Sequence, residues 1–224
     1  MTASKLLKYI CKQLEFFYID NDEKLDLSDV LSALEKVNFC FSHISAKYYN
    51  ANFSLKDVHH TSKYTVFLYY LSNIVFKKNK LTLASQIYAL NKMLHSVDMY
   101  YEIELPSVFI LEHPVGTVLG RAKYPDYFCV YQNCTVGGVR KNNKIYYPEF
   151  ENSMELKQMG GGGCILYSNA KVIGDCKIGS NVIFAANSFV INMNIPSNSI
   201  VLGQYPNIII KPNDSCYISS LFKY

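Results

Sequence analysis

Apolar residues recur every six positions through the second half of this chain. The two blocks consist of Leu166, Val172, Ile178, Phe184 and Val190, and of Val118, Tyr124, Val130 and Val136. A period of 3.6 residues is typical of an amphipathic helix, and a period of two is typical of a half-buried strand. A period of six fits a coil of short strands in which each flat side is one hexapeptide, so the pattern predicts a parallel β-helix. The alternative is a chance run of strands in a β-sandwich.

The first half of the chain shows helical spacing instead. Amphipathic helices are predicted over 4–18, 62–77 and 81–94, with a further helix capped by Ser28 and a polar loop over 48–61. We therefore predict a helical N-terminal domain over residues 1–97. The adjacent pair His59-His60 lies in the predicted loop, where neighbouring side chains rarely share a metal, so no metal site is predicted.

The predicted coil domain covers residues 98–213 and is followed by a tail over 214–224. Its pattern is interrupted between Gly137 and Cys164, which predicts a projecting loop over 138–163. Long loops inside compact domains are often functional. The run Gly160–Gly163 invites comparison with a phosphate-binding loop, but that motif continues with Lys-Ser or Lys-Thr. Here Cys164-Ile165 follows, so a flexible hinge is favoured.

The composition argues against several classes of protein, among them nucleic-acid-binding and membrane-spanning proteins. The chain has 224 residues, 18% charged residues and a net charge of +4, which is too small and too dispersed to indicate nucleic-acid binding. No apolar run is long enough for a transmembrane helix, and the N-terminus lacks a signal-peptide core. Seven cysteines show neither disulfide nor zinc spacing. We expect a cytoplasmic protein with reduced thiols and no bound metal.

One histidine stands out when the six-residue period is extended backwards. Six positions before Val118 is Glu112, and His113 follows it on the predicted coil surface. An imidazole is suited to general base work because its ordinary pKa lies near neutral pH. It also needs a second group that holds its orientation. The alternative is a surface histidine without a role.

The residues around His113 resemble the serine O-acetyltransferases and related left-handed β-helix acyltransferases. The similarity covers roughly residues 95–213. The segments that carry it are Val97-Asp98, Glu112-His113-Pro114-Val115-Gly116, Val118-Leu119-Gly120, Gln132 to Gly138, Cys164 to Val190, Gly203 and Lys211-Pro212. The resemblance implies an α+β fold in which a helical N-terminal domain precedes a left-handed parallel β-helix of hexapeptide repeats.

The resemblance also implies an acetyl-CoA-dependent acyltransferase. His113 would take the proton from an acceptor hydroxyl, Asp98 would orient His113, and Glu112 would lie near the acceptor. The freed oxygen would attack the acetyl-CoA thioester directly. Acetyl-CoA, the co-substrate, would contact Ala186 and Lys211 between subunits of a homotrimer or hexamer, and a lysine there suits a phosphate group.

Three departures from the family pattern concern the acceptor and partners. Tyr147 stands where the family has a second histidine that helps to hold the acceptor. An insertion between Asn152 and Gly163 would lie near the acceptor mouth. The chain ends in Lys223-Tyr224 rather than isoleucine, so docking to cysteine synthase is not supported.

Several acceptors therefore stay open. Serine is the acceptor suggested by the nearest resemblance, and a sugar or surface-glycan hydroxyl is the first alternative. N-acetylation of an amino sugar and a non-catalytic β-helix scaffold are the others.

Overall fold

The computed structural model describes residues 3–19, 23–49, 52–152, 163–215 and 217–223. The N-terminal part consists of helices α1 (Ala3–Phe17), α2 (Leu27–Ser42), α3 (Thr61–Lys77) and α4 (Leu81–His95), with a short 3₁₀ turn at Leu55–His59. These helices lie where helices are predicted, but the N-cap of α2 is Asp26 rather than the predicted Ser28, and α3 is not amphipathic. The 3₁₀ turn lies inside the predicted loop, where Ser54 and Asp57 form a capping box that starts it.

Helix α3 is the centre of the helical part. Nearly all of its side chains from Ser62 to Val75 are buried, whereas α1 buries only Leu6, Ile10 and Leu14 along one stripe. A helix that is buried on every side lies inside a bundle, and a helix with one apolar stripe lies on its surface. No helix among the described residues combines the length and the apolar character that crossing a bilayer requires.

A buried carboxylate ties α2 to the end of α3. The Asp29 side chain has no exposed surface and accepts hydrogen bonds from the Nζ atoms of Lys78 and, at 2.9 Å, Lys80. Burial by itself would raise the pKa of Asp29, but the two lysines outweigh it and lower the pKa below its ordinary value. A carboxylate that is buried and paired in this way stabilises the fold only while it is ionised.

Acidification is therefore expected to lower the free energy of unfolding, because Asp29 becomes protonated. Because the folded-state pKa lies below the unfolded value of about 3.9, the contribution is fully present above that value and is lost as the pH falls through the folded-state pKa. Asp29→Asn should lower the free energy of unfolding by about 3 kcal/mol at pH 7, because the buried pair loses one of its charges. The difference from wild type should shrink toward pH 3 in chemical denaturation. A difference that stays constant with pH would contradict this account.

The second half of the chain consists of short strands. They are β1 (Asp98–Met99), β2 (Phe109–Leu111), β3 (Val118–Leu119), β4 (Phe128–Val130), β5 (Thr135–Gly137), β6 (Val139–Lys141), β7 (Lys144–Tyr146), β8 (Glu149–Phe150), β9 (Cys164–Leu166), β10 (Lys171–Ile173), β11 (Lys177–Ile178), β12 (Val182–Phe184), β13 (Phe189–Ile191), β14 (Ser199–Gln204) and β15 (Asn207–Pro212). The predicted boundary at 97/98 falls between the end of α4 and the start of β1.

These strands wind into a three-sided coil. One side has the order β1-β3-β5-β10-β13, and a second side has the order β2-β4-β9-β12-β14. The third side pairs β8 with β11. Pairing within each side is parallel, and Lys171 lies opposite Phe189 as Cys164 lies opposite Val182, eighteen residues apart in both cases. One turn of the coil therefore takes three hexapeptides, as the six-residue period predicts.

The predicted register is wrong at one position. Val118 is 39% exposed, and its neighbour Leu119 is buried opposite Val136. The other eight apolar positions of the period are buried. Stepping back from Val118 is therefore off by one residue, because the first corner of the coil is longer than the later ones. Leu111 is the inward residue there, and Glu112 follows it on the outside.

The described first part of the predicted loop, residues 138–152, forms a hairpin and a strand of the coil. Strands β6 and β7 form an antiparallel hairpin over 139–146, and β8 then rejoins the coil. The Glu149 backbone N–H donates to the Cys176 carbonyl oxygen at 2.8 Å, and the Phe150 side chain is buried. Gly163 occupies a corner of the coil. Gly160–Gly162, the rest of the predicted hinge, lie outside the described residues.

The end of the chain folds back onto the helical part. A short helix over Tyr217–Leu221 precedes Phe222, which forms an antiparallel bridge with Ile44 after α2. The backbone N–H of Ser45 donates to the Leu221 carbonyl at 2.8 Å, and that of Lys223 donates to the His43 carbonyl at 2.8 Å. The C-terminal tail therefore connects the coil to the helical part through backbone hydrogen bonds.

Candidate active site

His113 lies at the corner between β2 and β3, on the turn of the coil that lies nearest the helices. Its backbone is in the left-handed region, with φ of +49°, and its side chain is exposed. The Val115 N–H donates to the His113 carbonyl at 2.7 Å, and the Thr117 N–H donates to the Pro114 carbonyl at 3.1 Å. These two tight turns fix the corner, so the imidazole is presented on a rigid support.

A cavity of 480 Å³ separates this corner from the helical part. Its lining consists of Tyr48, Tyr49, His59, His60, Thr61, Ser62, Glu112 and His113. The helical part thus supplies the wall that faces His113. Two more histidines and two tyrosines stand opposite the predicted base, although they come from a segment that the sequence predicts only as a polar loop.

Tyr49 anchors this wall to the coil. Its side chain is 1% exposed, and its hydroxyl donates to the carbonyl oxygen of Leu111 at 2.8 Å. Leu111 directly precedes Glu112, so the hydrogen bond fixes the wall beside the corner. The centroid of the His60 ring lies 6.2 Å from the centroid of the Tyr49 ring and 6.3 Å from that of the Tyr48 ring. The Tyr48 ring itself belongs to a largely exposed side chain.

Burial shifts the pKa values of two titratable groups of the cavity in opposite directions. It raises the pKa of Glu112, against the smaller opposing effect of His113. It lowers the pKa of His60, and the charges of Lys63 and His113 lower that pKa further, although Asp57 opposes them. The site therefore places a half-buried carboxylate beside His113 and a histidine that favours the neutral form across the cavity.

Asp98, the predicted partner of His113, has other contacts in this chain. One carboxylate oxygen accepts the Tyr88 hydroxyl at 2.8 Å, and the other accepts Lys92 Nζ at 2.6 Å. Its backbone N–H donates to the Thr117 carbonyl at 2.9 Å, which keeps it next to the His113 corner. Asp98 does not line the cavity, and Glu112 is the carboxylate that does.

Tyr147 lies at the base of the β6–β7 hairpin and away from the cavity. Its ring packs against Gly138, where an added Cβ would meet the ring at 2.7 Å. It is not among the residues that line the cavity around His113. Within one chain the structure therefore does not bring Tyr147 together with His113, and its predicted role in acceptor binding stays a prediction.

Ala186, a predicted acetyl-CoA contact, lies on the same corner of the coil as His113. Successive turns stack there through backbone hydrogen bonds in which Glu112, Tyr131, Tyr167 and Ala185 donate to the turn below at 2.9–3.0 Å. With about 4.8 Å between turns, Ala186 lies roughly 14 Å below the His113 corner. Both Ala186 and Lys211 are exposed, and Lys211 lies on β15 opposite Ile200. The corner thus offers an extended surface leading away from His113.

The sequence missed the contribution of the helical part to this site. Tyr48, Tyr49 and His60 stand near His113 only because α2 and α3 pack on the top of the coil. The adjacent pair His59-His60 was the one feature of this segment that could have indicated a site. Nothing in the surrounding sequence shows that the pair would face His113. The described residues contain no group of three or more His, Cys, Asp or Glu side chains that could hold a metal ion.

The chain is similar in sequence to serine acetyltransferases. It is 27% identical over 149 residues to the serine acetyltransferase of Staphylococcus xylosus, and the match covers 66% of this chain. The chain spans 63% of the length of that relative. No model of a known protein family matches the chain.

Solved structures show the same likeness. The serine acetyltransferase of Brucella abortus in complex with coenzyme A has a TM-score of 0.67 at 17% identity, over 96% of this chain and 84% of that one. The Neisseria gonorrhoeae enzyme has a TM-score of 0.66 at 18% identity, over 95% and 78%. The predicted fold, a helical N-terminal domain followed by a left-handed parallel β-helix of hexapeptide repeats, is confirmed. The resemblance to serine acetyltransferases is confirmed as well.

Proposed function

We propose that this chain is an acetyl-CoA-dependent O-acetyltransferase with His113 as its general base. The observation that carries the proposal is the position of His113. It is a rigid, exposed corner imidazole that faces a cavity beside a carboxylate and begins a straight surface down the coil. The serine acetyltransferase name of its relatives and the coenzyme A in one solved neighbour support the same chemistry.

In the proposed reaction, His113 accepts the proton of an acceptor hydroxyl while the hydroxyl oxygen attacks the acetyl-CoA carbonyl carbon. A C–O bond forms, the C–S bond breaks, and the CoA thiolate takes the proton back from the His113 imidazolium. Glu112 is placed to stabilise that imidazolium, since opposite charges attract strongly in a partly buried site. Asp98 keeps its predicted role of orienting His113, and a second subunit of a homotrimer or hexamer would bring Tyr147 to the acceptor.

Serine is the first acceptor to test, because the relatives are named for it. A sugar hydroxyl is the second, and one observation favours it. Tyr48 presents a largely exposed ring at the cavity, and an aromatic face is a suitable platform for the apolar face of a sugar ring.

Release of CoA thiol from acetyl-CoA tests the proposal directly. We expect release that depends on an added acceptor, either L-serine or one of D-glucose, D-galactose and N-acetyl-D-glucosamine. The acetylated product identifies the atom that is modified, which separates an O-acetyl from an N-acetyl product. If no acceptor supports release and acetyl-CoA does not bind, the non-catalytic scaffold is the better account.

Lys211 is expected to contact the 3′-phosphate of CoA. Lys211→Ala should raise the KM for acetyl-CoA about tenfold, because a charge-assisted contact to phosphate is lost. The same variant should behave like wild type with acetyl-dephospho-CoA, which lacks that phosphate. Lys177→Ala, which removes an exposed lysine from the third side of the coil, is the matched control. An equal effect of Lys211→Ala on both donors would contradict the assignment.

A further inference from the structure

We propose that His60 is a second functional imidazole of this site, and that it binds a hydrogen-bonding group on the acceptor carbon next to the acetylated hydroxyl. The inference rests on the proposed function and deepens it. It assigns an acceptor-binding residue to the helical part, which the sequence treats as free of chemistry. The proposal commits to an acceptor with two neighbouring polar groups, as in a sugar diol or an amino alcohol.

The placement of His60 is built into the fold. The centroid of its ring lies 6.2 Å from that of Tyr49, which is hydrogen-bonded to the coil at Leu111, and 6.3 Å from that of Tyr48. The His60 backbone N–H donates to the Asp57 carbonyl at 3.0 Å, which closes the 3₁₀ turn. Asp57 in turn accepts Lys63 Nζ at 2.7 Å in a nearly buried ion pair. Side chains held by such supports can act with defined geometry.

The residue type is unusual for its position. His60 is the N-cap of the seventeen-residue helix α3, and its side chain makes no capping hydrogen bond. Serine, threonine, asparagine and aspartate are preferred at an N-cap because they satisfy free backbone N–H groups. A histidine there gives up that stabilisation, and its ring instead turns toward the cavity that contains His113. The position therefore favours a role in binding over one in helix stability.

The charge state of His60 suits an acceptor contact. Burial, Lys63 and His113 lower its pKa, and the positive end of the α3 dipole acts in the same direction. A neutral imidazole offers one acceptor and one donor nitrogen. It can therefore accept a hydrogen bond from an acceptor hydroxyl or ammonium group. It also adds no positive charge that would oppose formation of the His113 imidazolium.

The test compares variants that separate polarity from packing. His60→Phe keeps a ring against Tyr49 but removes both nitrogens, whereas His60→Asn keeps a donor and an acceptor in a smaller side chain. We expect His60→Phe to raise the acceptor KM at least tenfold with an unchanged KM for acetyl-CoA, and His60→Asn to recover part of the loss. His43→Ala, which removes a partly exposed histidine outside the cavity, should behave like wild type.

Hydrolysis of acetyl-CoA separates this inference from the proposed function. Water needs no second contact, so slow thiol release without acceptor should fall in His113→Ala, and this tests the proposed base independently of His60. The acceptor probes are L-serine and the three sugars named above. Wild-type acceptor kinetics in His60→Phe would overturn the inference while leaving the proposed function intact. Absence of thiol release from wild type under every condition would overturn both.

Discussion

His113→Ala is expected to lower the rate of CoA thiol release by about 10²–10⁴-fold, the range that general base catalysis contributes. The side chain is exposed at a corner whose shape is fixed by backbone hydrogen bonds. Its removal should therefore leave the thermal unfolding temperature within about 2 °C of wild type, since surface substitutions usually change stability by less than 0.5 kcal/mol. Turnover close to wild type in a folded His113→Ala protein would remove the proposed mechanism.

The role of Asp98 can be separated from that of its partners on α4. If Asp98 orients His113, Asp98→Asn lowers kcat. Lys92→Met, which removes the 2.6 Å ion pair and the contacts of the lysine with Tyr88, should leave kcat near the wild-type value. The ion pair is partly exposed, so its loss should change stability by about 1 kcal/mol or less. Equal loss of kcat in both variants would show that the contact with α4, rather than orientation of His113, is what matters.

Gly163→Ala is expected to destabilise the coil by about 3 kcal/mol or more, which corresponds to a fall in Tm of roughly 6–12 °C for a chain of this size. Gly163 has φ of +96°, a backbone conformation that side chains rarely adopt. An added Cβ would also lie 2.3 Å from the backbone oxygen of Tyr127. Gly163 cannot move away from Tyr127, because its carbonyl accepts the Asn181 N–H at 2.9 Å and the next residue, Cys164, donates its N–H to the Tyr127 carbonyl at 3.3 Å.

Gly137→Ala is the matched control for this prediction. Gly137 also belongs to the coil, but an added Cβ there would meet only side-chain carbon atoms, the nearest being Cδ1 of Ile173 at 3.5 Å. That distance is ordinary van der Waals contact, so we expect a change below 1 kcal/mol. Thermal or chemical denaturation of the two variants measures the difference. Equal stabilities would show that Gly163 serves as the flexible hinge favoured from sequence, not as a fixed corner.

Part of the candidate site could be predicted from sequence, and part could not. The Glu112-His113 pair was found by extending a period, although the register at Val118 was wrong by one residue. The pair was still located correctly on the coil surface because it directly follows Leu111, which is fully buried. The wall opposite His113 was not predicted, because Tyr49 and Leu111 meet across 62 residues of intervening chain.

The sequence by itself determined the coil, because each turn repeats the same local requirement for an inward apolar residue and a tight corner every six positions. It likewise determined the four helices, since their apolar spacing is encoded within each helix, although burial of every side of α3 depends on its neighbours. Only the tertiary structure decided which helical residues face His113, that Asp98 contacts α4, and that β8 rejoins the coil after a short hairpin. The physical reason is that these features depend on packing between distant segments. The hydrogen bond from Tyr49 to Leu111 is one such contact at the site, and no local pattern specifies it.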